Sequence, residues 1–169
     1  MGHAIKKIVI AFAIPLLAGC ASYDGRGLVP GTSTASDVRE LMGTPADRIP
    51  VRGGDTIWYY PRGPEGLQTY AIRIAPDGVM RSIEQVLTVP NMRKIVPGVT
   101  TGRQVREILG PPWQVTRIDS IGRDDLEYRM YDETRVEYNL YVRLSYDGVV
   151  REVLFLRDYS VEPSSRNGR

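Results

Sequence analysis

The chain contains two copies of one sequence pattern, and this duplication constrains its fold more than any other feature. Residues 29–45 read VPGTSTASDVRELMGTP and residues 96–112 read VPGVTTGRQVREILGPP, so nine of 17 positions are identical at an offset of 67. Residues 71–83 and 141–153 match again at an offset of 70. Two copies indicate two similar small domains, because a solenoid needs at least three repeats.

Each copy begins with the signals of a short helix. Thr34 and Thr101 are good N-cap residues, and Asp37 and Gln104 lie at the partner position of a capping box. Apolar residues follow at helical spacing, and a glycine and then a proline end each pattern. A helix of about two turns is marginal alone in water, so we expect its apolar stripe to pack on a sheet.

Three strands are predicted after the helix in each copy. We place them at 56–60, 67–75 and 79–87 in the first copy, and at 126–131, 136–146 and 149–157 in the second. An Asp-Gly pair supplies the last hairpin turn of each copy. The predicted fold class is therefore α+β, with two tandem repeats. Each repeat is a short helix, or a helix-loop-helix, packed on a three-stranded antiparallel sheet.

The predicted organisation has five segments. They are a lipoprotein signal peptide (1–19), an N-terminal tether (20–27), repeat 1 (28–88), repeat 2 (89–159) and a disordered tail (160–169). Units of 60 to 70 residues bury little core each. We therefore expect the two repeats to pack together, and a continuous sheet over one shared core is one arrangement that would achieve this.

The N-terminal segment has the features of a bacterial lipoprotein signal. Lys6 and Lys7 precede an eleven-residue apolar run, which is too short to span a bilayer. Residues 17–20 then read LAGC, which resembles the lipobox, whereas an ordinary signal peptide with an accidental cysteine is the alternative. The resemblance implies cleavage before Cys20 and covalent lipid, including palmitate, on Cys20. Ala21 rather than aspartate follows, which favours the periplasmic face of the outer membrane.

Charge and residue usage exclude several classes of site. Beyond residue 19 the chain has 20 basic and 20 acidic side chains, so a nucleic-acid partner is not expected. His3 is the one histidine and Cys20 the one cysteine, so cleavage before Cys20 leaves no histidine. A Ser-His-Asp triad, a Cys-His pair and a zinc site with histidine or cysteine ligands are then excluded. No carboxylate spacing supports a hydrolase. We expect no catalytic residues, no metal, and no cofactor other than lipid on Cys20.

Aromatic residues are the candidates for partner binding, because exposed aromatic side chains carry binding energy well. Tyr59 lies in a WYY run whose Trp58 and Tyr60 we assign to the core. Arg62 lies in the following loop, where it could contact a partner or lipid headgroups. Tyrosines are concentrated in repeat 2, and one predicted strand places Tyr138 and Tyr146 on its apolar face and Tyr141 opposite. We select Tyr59, Arg62, Tyr128 and Tyr141.

The combined motifs resemble the SmpA/OmlA (BamE-like) outer-membrane lipoproteins. The shared features are a glycine, a capping threonine, a helix end with Gly-x-Pro, an aromatic strand and a Gly-Val hairpin. The list in repeat 1 is Gly31, Thr34, Val38, Gly43, Pro45, Trp58, Tyr60, Gly78 and Val79, and in repeat 2 it is Gly98, Thr101, Val105, Gly110, Pro112, Tyr128, Gly148 and Val149. The tandem arrangement also resembles the fold of the β-lactamase inhibitor protein.

The resemblance implies a non-enzymatic function at the outer membrane. It implies a lipid-anchored periplasmic binding or scaffold protein that aids outer-membrane protein assembly or envelope integrity. The implied partners are the outer membrane through the lipid anchor, the β-barrel assembly machinery and phospholipid headgroups. The alternative is a periplasmic enzyme inhibitor or sensor that binds a protein on its sheet face.

Overall fold

A computed structural model describes residues 24–63 and 66–159 of the 169-residue chain. Cys20, the predicted signal peptide and the predicted tail lie outside these residues. Each repeat is one main helix followed by four strands. The elements are α1 (Ala35–Met42), β1 (Asp47–Pro50), β2 (Thr56–Arg62), β3 (Gln68–Ile74), β4 (Met80–Gln85), α2 (Val89–Met92), α3 (Gly102–Leu109), β5 (Gln114–Ile118), β6 (Arg123–Tyr131), β7 (Glu137–Leu144) and β8 (Val150–Arg157).

The strands form two separate antiparallel sheets, sheet 1 with the order β1-β2-β3-β4 and sheet 2 with the order β5-β6-β7-β8. The predicted α+β class is confirmed, but three strands per sheet is wrong. The added strands, β1 and β5, are both edge strands. Their sequences, DRIP and QVTRI, hide this because an edge strand that is half-exposed or exposed along its length lacks apolar alternation.

Both predicted capping boxes are present. The backbone N–H of Asp37 donates to the Thr34 hydroxyl at 3.3 Å, and the Asp37 carboxylate accepts from the Thr34 N–H at 2.7 Å. Thr101 and Gln104 make the matching pair at the start of α3. Two orphan backbone donors are thereby satisfied at each helix start.

The two helices end in the same way. Gly43 and Gly110 follow α1 and α3, each with a φ of 83°, and their N–H groups donate to the carbonyls of Arg39 and Arg106. The carbonyl oxygens of the same glycines accept a hydrogen bond, in each case at 3.1 Å, from the tyrosine at the equivalent position of each sheet, Tyr60 and Tyr128. These shared bonds fix the structural equivalence of the repeats.

Each helix buries its apolar stripe against its own sheet. In repeat 1, Val38 and Met42 of α1 pack on Trp58, Tyr60 and Ile72. The assignment of Trp58 and Tyr60 to the core is confirmed. In repeat 2, Val105 and Leu109 of α3 pack on an equivalent sheet surface, formed chiefly by Leu126, Tyr128, Met130, Leu140 and Val142.

Helix α3 also covers the second face of sheet 1. The hydroxyl of Tyr59 donates to the Glu107 carbonyl of α3 at 2.9 Å, and Ile108 lies beside Ile57, Ala71 and Val86. The layers are therefore α1, sheet 1, α3 and sheet 2. The two repeats pack together as expected, but a continuous sheet is wrong, because a helix separates the two sheets.

One predicted strand extends too far. The prediction of a strand over residues 136–146 places Tyr146 on the apolar face, but β7 ends at Leu144. The pairing register shifts between Arg143 and Leu144, and the chain then enters the Asp147-Gly148 turn. Tyr146 is consequently 93% exposed.

Candidate functional site

Sheet 2 has one covered face and one uncovered face. The covered face packs on α3, whereas the described hydrophobic clusters contain no residue of the other face, here called the outer face. At its border the Trp113 ring lies 5.3 Å from the Arg129 guanidinium. Cross-strand partners share a face in antiparallel sheets. Three rows across β6, β7 and β8 therefore make up the centre of the outer face: Asp125, Arg143 and Glu152; Glu127, Tyr141 and Leu154; Arg129, Asn139 and Leu156.

The first row is a chain of ion pairs. Arg143 contacts Glu152 at 2.8 Å through Nη1 and Asp125 at 3.3 Å through Nε. Asp125 also contacts Arg123 at 3.1 Å, and its side chain is only 14% exposed. The charges in this row are compensated within the sheet, so a partner meets a surface whose charges are already fixed in position.

The second and third rows bring apolar side chains onto the outer face. Tyr141 lies directly opposite Leu154 and is half-buried, while Leu156 is exposed on the edge strand. Burial raises the pKa of the Tyr141 hydroxyl, and the nearby Glu127 adds to this shift. Burial also raises the pKa of Glu127, and the negative charge of Asp158 raises it further. These rows combine an apolar strip with partly desolvated polar groups.

In repeat 1, the equivalent face of the sheet is covered by another element of the chain. Tyr60 and Tyr128 are equivalent, so Tyr59 corresponds to Glu127, and the pairing register makes Ala71 correspond to Tyr141. In repeat 1 this face is apolar and buried by α3. In repeat 2 the same face carries charges, tyrosine and leucine, and it stays uncovered.

The four predicted partner-binding residues lie in different environments. Tyr141 lies on the outer face. Tyr59 and Tyr128 are buried, and their hydroxyls donate to the Glu107 and Gly110 carbonyls. Neither can contact a partner, so these two predictions are wrong. Their aromatic rings fill the core because strand alternation points both towards a helix, and burial raises the pKa of both hydroxyls.

Arg62 is engaged by its own repeat. Its Nη2 donates to the Met42 carbonyl at 2.7 Å, and its guanidinium lies 5.2 Å from the centre of the Tyr60 ring. These contacts hold the end of α1 against β2. Contact of Arg62 with a partner stays a prediction.

Sequence reasoning missed Arg143, Glu152, Leu154 and Leu156 as members of this face. The alternation in β7 does indicate that Arg143 and Tyr141 share a face. It does not give the register of β8, which a bulge in the β7–β8 pairing shifts. Only the observed pairing of β7 with β8 shows that Leu154 and Leu156 lie on the outer face.

No group of three or more histidine, cysteine or acidic side chains suited to a metal occurs within residues 24–63 and 66–159. Over the same residues, no helix is long and apolar enough to cross a membrane.

No family model matches the sequence, and no curated protein matches it. Among solved structures, the chain is similar to a DUF4309 family protein (YjgB) from Bacillus subtilis subsp. subtilis str. 168. The match has 23% sequence identity and a TM-score of 0.30, and it covers 79% of this chain and 84% of that chain.

These comparisons correct the resemblance given above. Membership of the SmpA/OmlA (BamE-like) family is corrected, since no family model and no curated protein that matches the chain supports it. The resemblance to the β-lactamase inhibitor protein has no support either. The physical reason is that a capping threonine, a Gly-x-Pro helix end and a Gly-Val hairpin are general stop and start signals. The expectations of assembly machinery and specific lipid headgroups rested on this resemblance.

Proposed function

We propose that this chain is a lipid-anchored, non-enzymatic protein of the bacterial envelope that binds a protein partner on the outer face of sheet 2. The uncovered outer face is the observation that carries the proposal. The equivalent face in repeat 1 has a packing partner, α3, whereas the outer face has an apolar strip beside fixed charges. Aromatic and leucine side chains bordered by charges are a common composition for a protein-binding surface.

The lipobox supports a location at the outer membrane. Lipid on Cys20 would anchor the chain at the periplasmic face of the outer membrane, as the residue after the cysteine favours. Only three residues separate Cys20 from Asp24, the first described residue. An extended chain reaches about 3.5 Å per residue, so Asp24, the point where the folded body is attached, would lie within roughly 14 Å of the anchor.

Crosslinking in intact cells tests the binding surface. A photo-crosslinking amino acid at Tyr141 or Leu156 is expected to give a protein adduct, identified by mass spectrometry. The same amino acid at Glu40, an exposed position on α1, is the matched control and is expected to give none. Absence of adducts at both outer-face positions, or equal adducts at Glu40, would contradict the proposal.

The identity of the adduct distinguishes two forms of the function. Adducts to an envelope structural protein support a scaffold. Adducts to a soluble periplasmic enzyme support the alternative, an inhibitor or sensor that binds on its sheet face. The anchor is tested separately by labelled palmitate: incorporation into the wild type and not into Cys20→Ser is expected, and equal labelling would overturn lipidation at that residue.

A further inference from the structure

A groove of about 680 Å³ lies away from the outer face, where the two repeats meet. Its sides come from the start of α3, the edge strand β5 and the edge strand β1 of repeat 1. Leu126 and Leu144 from the covered face of sheet 2 line it, together with Val115 and Ile49. The groove is therefore apolar at its base and is bordered by Arg103 and Arg106 of α3.

Repeat 1 fills the equivalent position with an aromatic side chain. Trp58 precedes Tyr60 by two residues, as Leu126 precedes Tyr128, so these two positions correspond. The indole of Trp58 lies between two guanidinium groups, 5.6 Å from that of Arg39 and 4.6 Å from that of Arg48. Each guanidinium is attracted to the negative face of the ring.

The three side chains of this stack have different counterparts in repeat 2. Arg39 corresponds to Arg106 in the duplicated VRE sequence. Arg48 pairs with Trp58 on the neighbouring strand, and Val115 pairs with Leu126, so Val115 takes the place of Arg48. Tryptophan is thus replaced by leucine, and one of its two arginines by valine. Both replacements are smaller, and the groove lies beside them.

Arg106 keeps the position of Arg39 but has no ring beneath it. Its carbonyl accepts the Gly110 N–H, but its guanidinium makes no hydrogen bond, ion pair or ring contact with any residue within 24–63 and 66–159. Three acidic residues line the groove: Asp124 and Asp147 are paired with Arg117 and Arg151, and Asp47 accepts the Arg48 backbone N–H. The Arg106 guanidinium is therefore available to a ligand, while the acidic side chains around the groove disfavour an anionic one.

We propose that this groove binds an aromatic side chain presented by a protein partner, with Arg106 stacked on the ring as Arg39 is stacked on Trp58. The free guanidinium complements the negative face of an aromatic ring. Val115, which is 49% exposed, supplies an apolar contact to the edge of the ring, above the buried Leu126. The proposal concerns a different surface from the outer face and does not depend on it.

Nuclear magnetic resonance of the chain from residue 20 onward, carrying Cys20→Ser, tests the proposal. The probe is N-acetyl-L-tryptophanamide, and N-acetyl-L-leucinamide is the matched aliphatic control. The tryptophan probe is expected to shift the methyl signals of Ile49, Val115, Leu126 and Leu144 at millimolar concentration. The leucine probe is expected to shift them far less.

Two variants decide whether the ring occupies the groove. Leu126→Trp combined with Val115→Arg rebuilds the repeat 1 stack, and this variant is expected to fold and to lose the response. Arg106→Ala leaves the groove open, and it is expected to weaken the response by roughly two- to fivefold, as loss of an exposed cation–π contact predicts. Arg39→Ala, which removes the equivalent guanidinium of repeat 1 and does not line the groove, is the control.

Three outcomes would overturn the proposal. They are no shift of the groove methyl signals in the unmodified groove, an equal response to the leucine probe, and no effect of Arg106→Ala. The single substitution keeps the test decisive if the double variant fails to fold.

Discussion

Gly110 lies where the two repeats pack closely against each other. A Cβ added there would lie 2.8 Å from Cγ2 of Thr69 and 2.9 Å from Cδ1 of Tyr59, both in repeat 1. Gly43 has the same φ of 83° at the equivalent position, but an added Cβ would meet nothing within 4 Å. The pair therefore separates backbone strain from contact between the repeats.

We predict that Gly110→Ala destabilises the protein more than Gly43→Ala. Both substitutions place alanine in a region of positive φ and extended ψ that is essentially restricted to glycine, which costs about 1–3 kcal/mol. Gly110→Ala adds overpacking against Tyr59 and Thr69, which typically costs a further ~1–3 kcal/mol. Urea unfolding of the two variants measures the difference. Equal losses of stability would show that the repeats do not meet closely at Gly110.

A single residue also makes the two capping boxes respond differently to pH. The Thr34 backbone N–H, and then its hydroxyl, hold the pKa of the Asp37 carboxyl below its usual value of 3.8. Gln104 makes the same contact in α3 and does not titrate. Because the folded-state pKa of Asp37 is lowered, its contribution to stability is present above pH 3.8 and is lost as pH falls through the folded-state pKa.

We predict that Asp37→Gln reduces the loss of stability on acidification below about pH 4. The reverse change, Gln104→Glu, is expected to increase that loss by giving α3 a titrating cap. Thermal unfolding between pH 2.5 and 7 compares each variant with the wild type. Identical pH profiles in all three proteins would contradict the contribution of Asp37.

At the scale of elements, sequence predicts the parts whose structure is dictated locally. The helix starts at Thr34 and Thr101 follow from side chain–backbone hydrogen bonds within four residues, and both are present. The Asp-Gly turns follow from backbone preference. The edge strands β1 and β5 are set by pairing with β2 and β6, so no local pattern reports them.

In the candidate site, too, the locally determined features could be predicted and those set by distant elements could not. Alternation in β7 places Tyr141 opposite the core face, as the structure shows. The same reasoning did not decide whether Tyr59 is exposed, because the face of sheet 1 that contains it is covered by a helix 43 positions further along the chain. Burial on a second face depends on a distant element, and a single sequence does not show which element arrives there.

At the scale of the whole molecule, α3 belongs to two packing units. Its apolar stripe packs on sheet 2, while the Glu107 carbonyl and Ile108 meet the second face of sheet 1. Repeat 1 therefore depends on repeat 2 for cover, whereas repeat 2 contains its own helix and sheet. This asymmetry is not apparent from two copies with similar sequences.

We predict that residues 24–88 do not fold as a stable monomer when produced alone. Removing α3 exposes Ile57, Tyr59, Ala71 and Val86, and contiguous apolar surface of this kind promotes association. Residues 89–159 are expected to unfold cooperatively on their own. Size-exclusion chromatography and urea unfolding of the two fragments measure this, and a monomeric, cooperatively unfolding fragment 24–88 would argue against the shared role of α3.

The layer order gives the molecule two unlike ends, α1 at one end and the outer face at the other. Such ends could in principle join head to tail, and a contact of this kind that does not close a ring grows into an open filament. The ion pairs of Asp125, Arg143 and Glu152 oppose this, because α1 of a second copy would have to cover charges that water now solvates. The same row of charges that limits self-assembly requires any partner to match its pattern.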